Sequence, residues 1–132
     1  MQQATLSTKK TDIQRAWHLI DVTDRMLGRV SSEVAQLLMG KSKPYFVRNM
    51  DCGDYVVVIN AKEVKVTGKK SQDKKYTRHS GYPGGLRTET FNKMMVRKPE
   101  FIIEHAIKGM LPGSKLGRQM IKKLTIFAGE IE

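Results

Sequence analysis

Asp54-Tyr55-Val56-Val57-Val58-Ile59-Asn60-Ala61 is the stretch from which the fold is read. Five consecutive apolar residues, three Val and one Ile among them, follow Cys52-Gly53-Asp54 and end at Asn60. A strand wetted on one face alternates apolar and polar residues, whereas a strand covered on both faces reads as a continuous apolar run. The run is too short for an amphipathic helix, and Gly53 stops it from extending backwards. This predicts the central strand of an α/β domain, with helices on both faces of its sheet.

Upstream, Trp17-His18-Leu19-Ile20-Asp21-Val22 predicts a first strand ending in the turn Thr23-Asp24. Leu27, Val30, Val34, Leu37 and Leu38 then recur at the spacing of one helix face. Gly40 is placed to cap this helix, and Pro44 prevents its continuation. The strand–helix–strand unit from Trp17 to Ala61 implies parallel strands joined by a right-handed crossover. Arg25 and Arg29 stand near the helix start, where a cation opposes the helix dipole. Two solvated side chains are the favoured reading for them, ahead of phosphate contacts.

Downstream, Glu63-Val64-Lys65-Val66-Thr67 forms a short alternating segment closed by Gly68. Lys69 to Arg87 carries neither a buried-strand pattern nor a helical period and reads as an extended basic excursion. Its cations are Lys69, Lys70, Lys74, Lys75, Arg78 and Arg87, joined by His79, with Tyr76 and Tyr82 on either side of Arg78-His79. Cations beside aromatics and glycine-rich backbone suit RNA better than they suit an idle loop. A helix is expected from Thr88, as N-cap, through Val96, and another from Pro99 through Met110. The latter's apolar face makes it a packing element, and a packed or surface imidazole is the favoured reading of His105. The stretch 108–123 then holds Lys108, Lys115, Arg118, Lys122 and Lys123 without one acid. Lys115, Arg118 and Lys122 share a helix face, where like charges repel by about a few tenths of a kcal/mol per pair. A polyanion removes that penalty. Thr125-Ile126-Phe127 reads as a last short strand.

The composition agrees. Among 132 residues, 24 Lys+Arg face 13 Asp+Glu, giving a net charge of +11 and calling for a polyanionic partner. The length fits one domain, residues 16–132, behind a flexible polar N-terminal arm at 1–15. Residues 1–11 lack the apolar segment of a secretory signal, and a disordered arm is favoured there over a remnant transit peptide. No apolar run approaches the roughly 18 residues a membrane span requires. The single cysteine, Cys52, excludes an internal disulfide and fits a reducing compartment. His18, His79 and His105 are far apart and show no zinc spacing, and no phosphate-loop, dinucleotide or nucleophile-elbow motif is present. Asp21, Asp51 and Asp54 can be assembled into paired carboxylates, the one opening for an enzyme. For Asp51 and Asp54, at a strand entrance, turn capping is the commoner role.

Several short motifs stand in order along the chain. They are Leu27-Gly28-Arg29, Gly53-Asp54-Tyr55 with Asn60-Ala61, Val66-Thr67-Gly68-Lys69, His79-Ser80-Gly81 with Gly84-Gly85, Lys108-Gly109-Met110-Leu111-Pro112 and Leu116-Gly117-Arg118. Together they resemble the bacterial-type large-subunit ribosomal protein thirteen family, uL13, from Trp17 to Gly129. The resemblance implies a three-layer α/β/α single domain around a mostly parallel four-stranded sheet, with basic loop and C-terminal extensions. It implies a non-catalytic structural constituent of the large ribosomal subunit, cytoplasmic or organellar, that serves translation. Such a protein binds large-subunit ribosomal RNA, acts early in subunit assembly and touches neighbouring large-subunit proteins, without cofactor, metal, membrane or small-molecule substrate. The family's RNA-facing parts fall here on 69–87 and 108–123, the regions already selected by charge. The chain differs from many relatives in its polar N-terminal arm and in ending soon after Gly129. A nucleotide-directed enzyme and a free regulatory RNA- or DNA-binding module remain the rival classes.

Overall fold

The computed structural model describes residues 7–131, so the first six residues of the expected arm lie outside the described part. Strand β1 (Trp17–Asp21) leads into helix α1 (Leu27–Met39) and strand β2 (Tyr55–Ile59). A short helix α2 (Lys70–Asp73) precedes strands β3 (Lys75–His79) and β4 (Leu86–Thr90). Helices α3 (Phe91–Arg97), α4 (Pro99–Met110) and α5 (Lys115–Ile121) follow, then strand β5 (Leu124–Ile126).

The strands β1, β2 and β5 form a parallel sheet with β2 in the middle. Trp17 to Asp21 pair with Tyr55 to Ile59 in register, and Val56 to Val58 pair with Leu124 to Ile126. The central position expected for the Tyr55–Ile59 run is therefore present. The expected four-stranded sheet has three strands among the described residues. The alternating segment after β2 contributes only one parallel bridge, Met26 to Lys65, because Ala61–Glu63 turns as a 3₁₀-helix before it.

The three-layer expectation also changes. Val56 and Val58 are fully buried beneath α1 and α4, whose Val30, Val34, Leu38, Ile102, Ile103 and Ile107 complete one core. Burial of a Val, Leu or Ile side chain contributes about 1.5–3 kcal/mol each, which makes this layer the main source of stability. On the opposite face Tyr55, Val57 and Ile59 are only half-buried, and their neighbours Trp17 and Leu19 are 69% and 68% exposed. The Trp17 ring stacks on Tyr55 with centroids 4.6 Å apart. An apolar run alone cannot separate helix cover from cross-strand cover of this kind.

Two loop positions fix the α1–β2 connection. Gly40 caps α1 in the left-handed region, at φ 76°, and a Cβ there would strike the Cys52 carbonyl. Gly53 lies so close to Leu38 that a Cβ would overlap its carbonyl oxygen. Residues 8–15 lie against the same region: Thr8 Oγ1 donates to the Tyr45 carbonyl at 2.9 Å, and Gln14 N to Tyr45 Oη at 3.2 Å.

Candidate nucleic-acid interface

The basic excursion is a built element, not an extended loop. Lys69 and Lys70 open α2, and β3 and β4 form an antiparallel hairpin. Hairpin alternation places Tyr76, Arg78, Arg87 and Glu89 on one face, with Arg78 directly opposite Arg87 and Tyr76 opposite Glu89. The helix expected to start at Thr88 begins instead at Phe91, because Thr88-Glu89-Thr90 pair with β3; Phe91 N then donates to the Lys74 carbonyl at 2.9 Å.

Tyr76, expected beside RNA, is buried against Phe101 and His105, and burial pushes its phenol pKa up. Tyr82 remains 77% exposed at the hairpin turn. His79 Nδ1 accepts from Gly81 N at 2.9 Å, so this imidazole also holds the turn. Lys69, Lys70, Lys75, Arg78 and Arg87 are exposed, and Lys74 is half-buried with its ammonium 5.7 Å from the Tyr76 ring.

In the second region Ser114 Oγ accepts from Gly117 N at 3.4 Å and starts α5. Lys108, Lys115, Arg118 and Lys122 are exposed. Lys123 is not: its side chain is 7% exposed, with Nζ 2.6 Å from Asp51 Oδ1 and 3.2 Å from the Leu38 carbonyl. Burial pushes its ammonium pKa down, against the pull of Asp51. It is a core ion pair and takes no part in a surface interface.

The two regions meet at the end of α4. Met110, 43% exposed, lines two open grooves. One, of about 530 Å³, is rimmed by Lys70 and Lys74 together with Arg29 and Lys65. The other, of about 520 Å³, is rimmed by Lys41 and Arg48. Arg25 is paired with Glu33 at 2.5 Å and Lys65 with Asp24 at 2.6 Å, whereas Arg29 has no carboxylate partner among the described residues. The first turn of α1 carries no acid and no side-chain cap, so its dipole adds to the positive potential there. Lys41, Arg48 and Lys65 lie outside the two dense basic segments, so charge density along the chain does not select them.

The carboxylates open to an enzymatic reading are occupied, Asp21 by Thr23 N at 2.9 Å, Thr23 Oγ1 at 2.6 Å and Asn60 Nδ2 at 3.0 Å, all donating to its Oδ1. Asp51 binds Lys123 and Arg15, the latter at 3.3 Å; Asp54 binds Lys43 at 2.5 Å and His18 Nε2 at 2.9 Å and accepts from Ala16 N at 3.0 Å. Burial pushes the Asp54 pKa up, but the Lys43, Ala16 and His18 hydrogen bonds outweigh it and leave it below the usual carboxylate range. For Lys43, burial works against the charge and its bonds to Asp54 and Tyr45 win, raising its pKa. No group of three metal-ligating side chains occurs among the described residues, nor any helix long and apolar enough to cross a membrane.

The sequence profile of the family described as Ribosomal protein L13 matches residues 15–132. A Dehalococcoides mccartyi protein, named Large ribosomal subunit protein uL13, is 55% identical over 126 residues, covering 96% of this chain and 88% of its own. Proteins of the same name from Thermobifida fusca and Rippkaea orientalis are 54% and 51% identical over 125 residues. Each of those alignments covers 95% of this chain, and 84% and 83% of the respective relative.

Proposed function

The chain belongs to the ribosomal protein L13 family, and from that membership we propose that it is a structural constituent of the large ribosomal subunit, working in translation. Its role is non-catalytic. It binds large-subunit ribosomal RNA, supports early subunit assembly and contacts neighbouring large-subunit proteins within this cytoplasmic particle. The observation that carries the reading is the family match across residues 15–132, on a chain of net charge +11.

The mechanism is electrostatic. Exposed Lys and Arg displace counterions from RNA phosphates, and the folded core fixes the directions in which those cations point. The proposed contacts are Lys69, Lys70, Lys74, Lys75, Arg78, His79, Arg87, Lys108, Lys115, Arg118 and Lys122, to which the grooves add Arg29, Lys41, Lys65 and Arg48. With cations spread over a hairpin and two grooves, recognition rests on RNA shape and backbone more than on base edges.

Sedimentation of a native lysate through a sucrose gradient, with and without a high-salt wash, tests the role. Stoichiometric comigration with the large subunit is expected. A protein held mainly at the top of the gradient would overturn the structural reading and favour the free regulatory one.

A further inference from the structure

Between the β3–β4 hairpin and the α3–α4 corner lies a cavity of about 320 Å³ that the counterion mechanism leaves unexplained. Arg78 and Arg87 stand directly opposite each other on its hairpin wall, and Arg97 and Lys98 rim it from the helices. One acid, Glu89, serves this group: it lies 2.9 Å from Arg97 and 4.0 Å from Arg78. Like charges placed opposite across a hairpin are unfavourable unless something neutralises them, and a single carboxylate leaves most of this charge free. The remaining wall is apolar and aromatic. Phe101 is 37% exposed, stacks on His105 at 5.5 Å and meets the Tyr76 ring edge-on at 5.9 Å. Tyr76, also part of the wall, is 8% exposed and its hydroxyl has no hydrogen-bond partner among the described residues. Such an unpaired buried phenol is uncommon.

Cations beside a fixed aromatic plane in one cavity match a nucleotide better than they match a bare phosphate or a uniform duplex backbone. Single-stranded or extruded bases are held by aromatic side chains and Arg planes, with phosphates on nearby cations. We infer that this cavity receives one unpaired nucleotide of the bound RNA, its base against Phe101 and its phosphate between Arg78 and Arg87. The inference rests on the RNA-binding reading and adds Arg97, Lys98 and Phe101 to the interface.

The test uses the full chain and two synthetic RNA hairpins of equal length, one fully paired in its stem and one carrying a single bulged 2-aminopurine. Binding to the bulged RNA is expected to be roughly tenfold tighter, the order of one base–aromatic stacking interaction, with a change in 2-aminopurine fluorescence. Phe101→Leu keeps the apolar volume and should abolish the preference while leaving affinity for the paired RNA and its salt dependence unchanged. Arg87→Gln, at an exposed position, should weaken binding of the bulged RNA more than of the paired one. Equal affinity of the wild-type chain for the two RNAs overturns the nucleotide site and leaves RNA binding standing. A preference that survives Phe101→Leu places the base elsewhere and also overturns it. Binding of neither RNA overturns the RNA reading itself.

Discussion

Lys123 Nζ sits 2.6 Å from Asp51 Oδ1 and also reaches the Leu38 carbonyl, so one cation joins the entrance of β5, the β2 approach and the end of α1. Next to it, Lys122 is exposed. Neighbours in a basic run thus do different work, and stability measurements separate them. Lys123→Met leaves Asp51 only Arg15 and the Gly53 N–H and should cost about 2–3 kcal/mol, somewhat under the usual penalty for breaking a buried pair. Lys122→Ala should stay within about 0.5 kcal/mol of wild type. Urea denaturation of the two variants checks this, and equal, small losses would remove Lys123 from the core.

Acid should loosen the same corner through Asp54. Its folded pKa lies below the ordinary value because Lys43, Ala16 and His18 bond the ionised form, against the opposing push of burial. A depressed carboxylate contributes stability that is present above the unfolded pKa of about 3.9 and is lost as pH falls through the folded value. Unfolding free energy should therefore decline as pH drops below about 4. Asp54→Asn, already lacking the ion pair, should be less stable at neutral pH and show a flatter acid limb. Parallel acid limbs in the two proteins would remove Asp54 from this role.

The α1–β2 joint gives a third expectation. Gly53→Ala places a methyl group into the Leu38 carbonyl, where backbone rather than a flexible side chain must move. A loss of about 3 kcal/mol, the upper end of ordinary overpacking, is expected. Gly28→Ala, at a helical position with nothing within 4 Å of the new Cβ, should be neutral or slightly stabilising. Thermal melts of the pair make the comparison.

What can be read from the chain follows the range of the signal. The spacing of Leu27, Val30, Val34 and Leu38 is local, and α1 buries those residues; Pro99 starts α4 as its fixed φ allows. The apolar run at Val56–Ile59 locates the central strand but not what covers its second face, since cover depends on elements far away in sequence. The hairpin is hidden in the sequence because β3 and β4 are mostly charged and polar, with Tyr76 and the exposed Leu86 too few to set an apolar alternation. Lys123 reads as one more surface cation because its partner Asp51 is 72 residues away. Charge density locates the 69–87 and 108–123 segments. It does not indicate that α4 ends between them, or that Arg29 and Lys41 line the grooves meeting there.

Those grooves carry the last prediction. Arg29 and Lys70 rim one groove from different elements, and both are exposed, so Gln at each position should leave the fold intact. A cation that no longer meets its phosphate releases about one counterion fewer, reducing the slope of log affinity against log salt by about 1. Arg29→Gln with Lys70→Gln should therefore lower the slope by about 2 and weaken RNA binding most at low salt, where released counterions contribute most. Reversing Lys115, Arg118 and Lys122 to Glu should produce a larger fall, since repulsion is added to the removal of three cations. Lys123→Met is the internal control: the side chain points into the core, so at temperatures where the variant remains folded its slope should match wild type. Filter binding across a salt series reads all three. An unchanged slope in the Arg29/Lys70 pair would remove that groove from the interface, whereas an unchanged slope in the triple variant would remove α5.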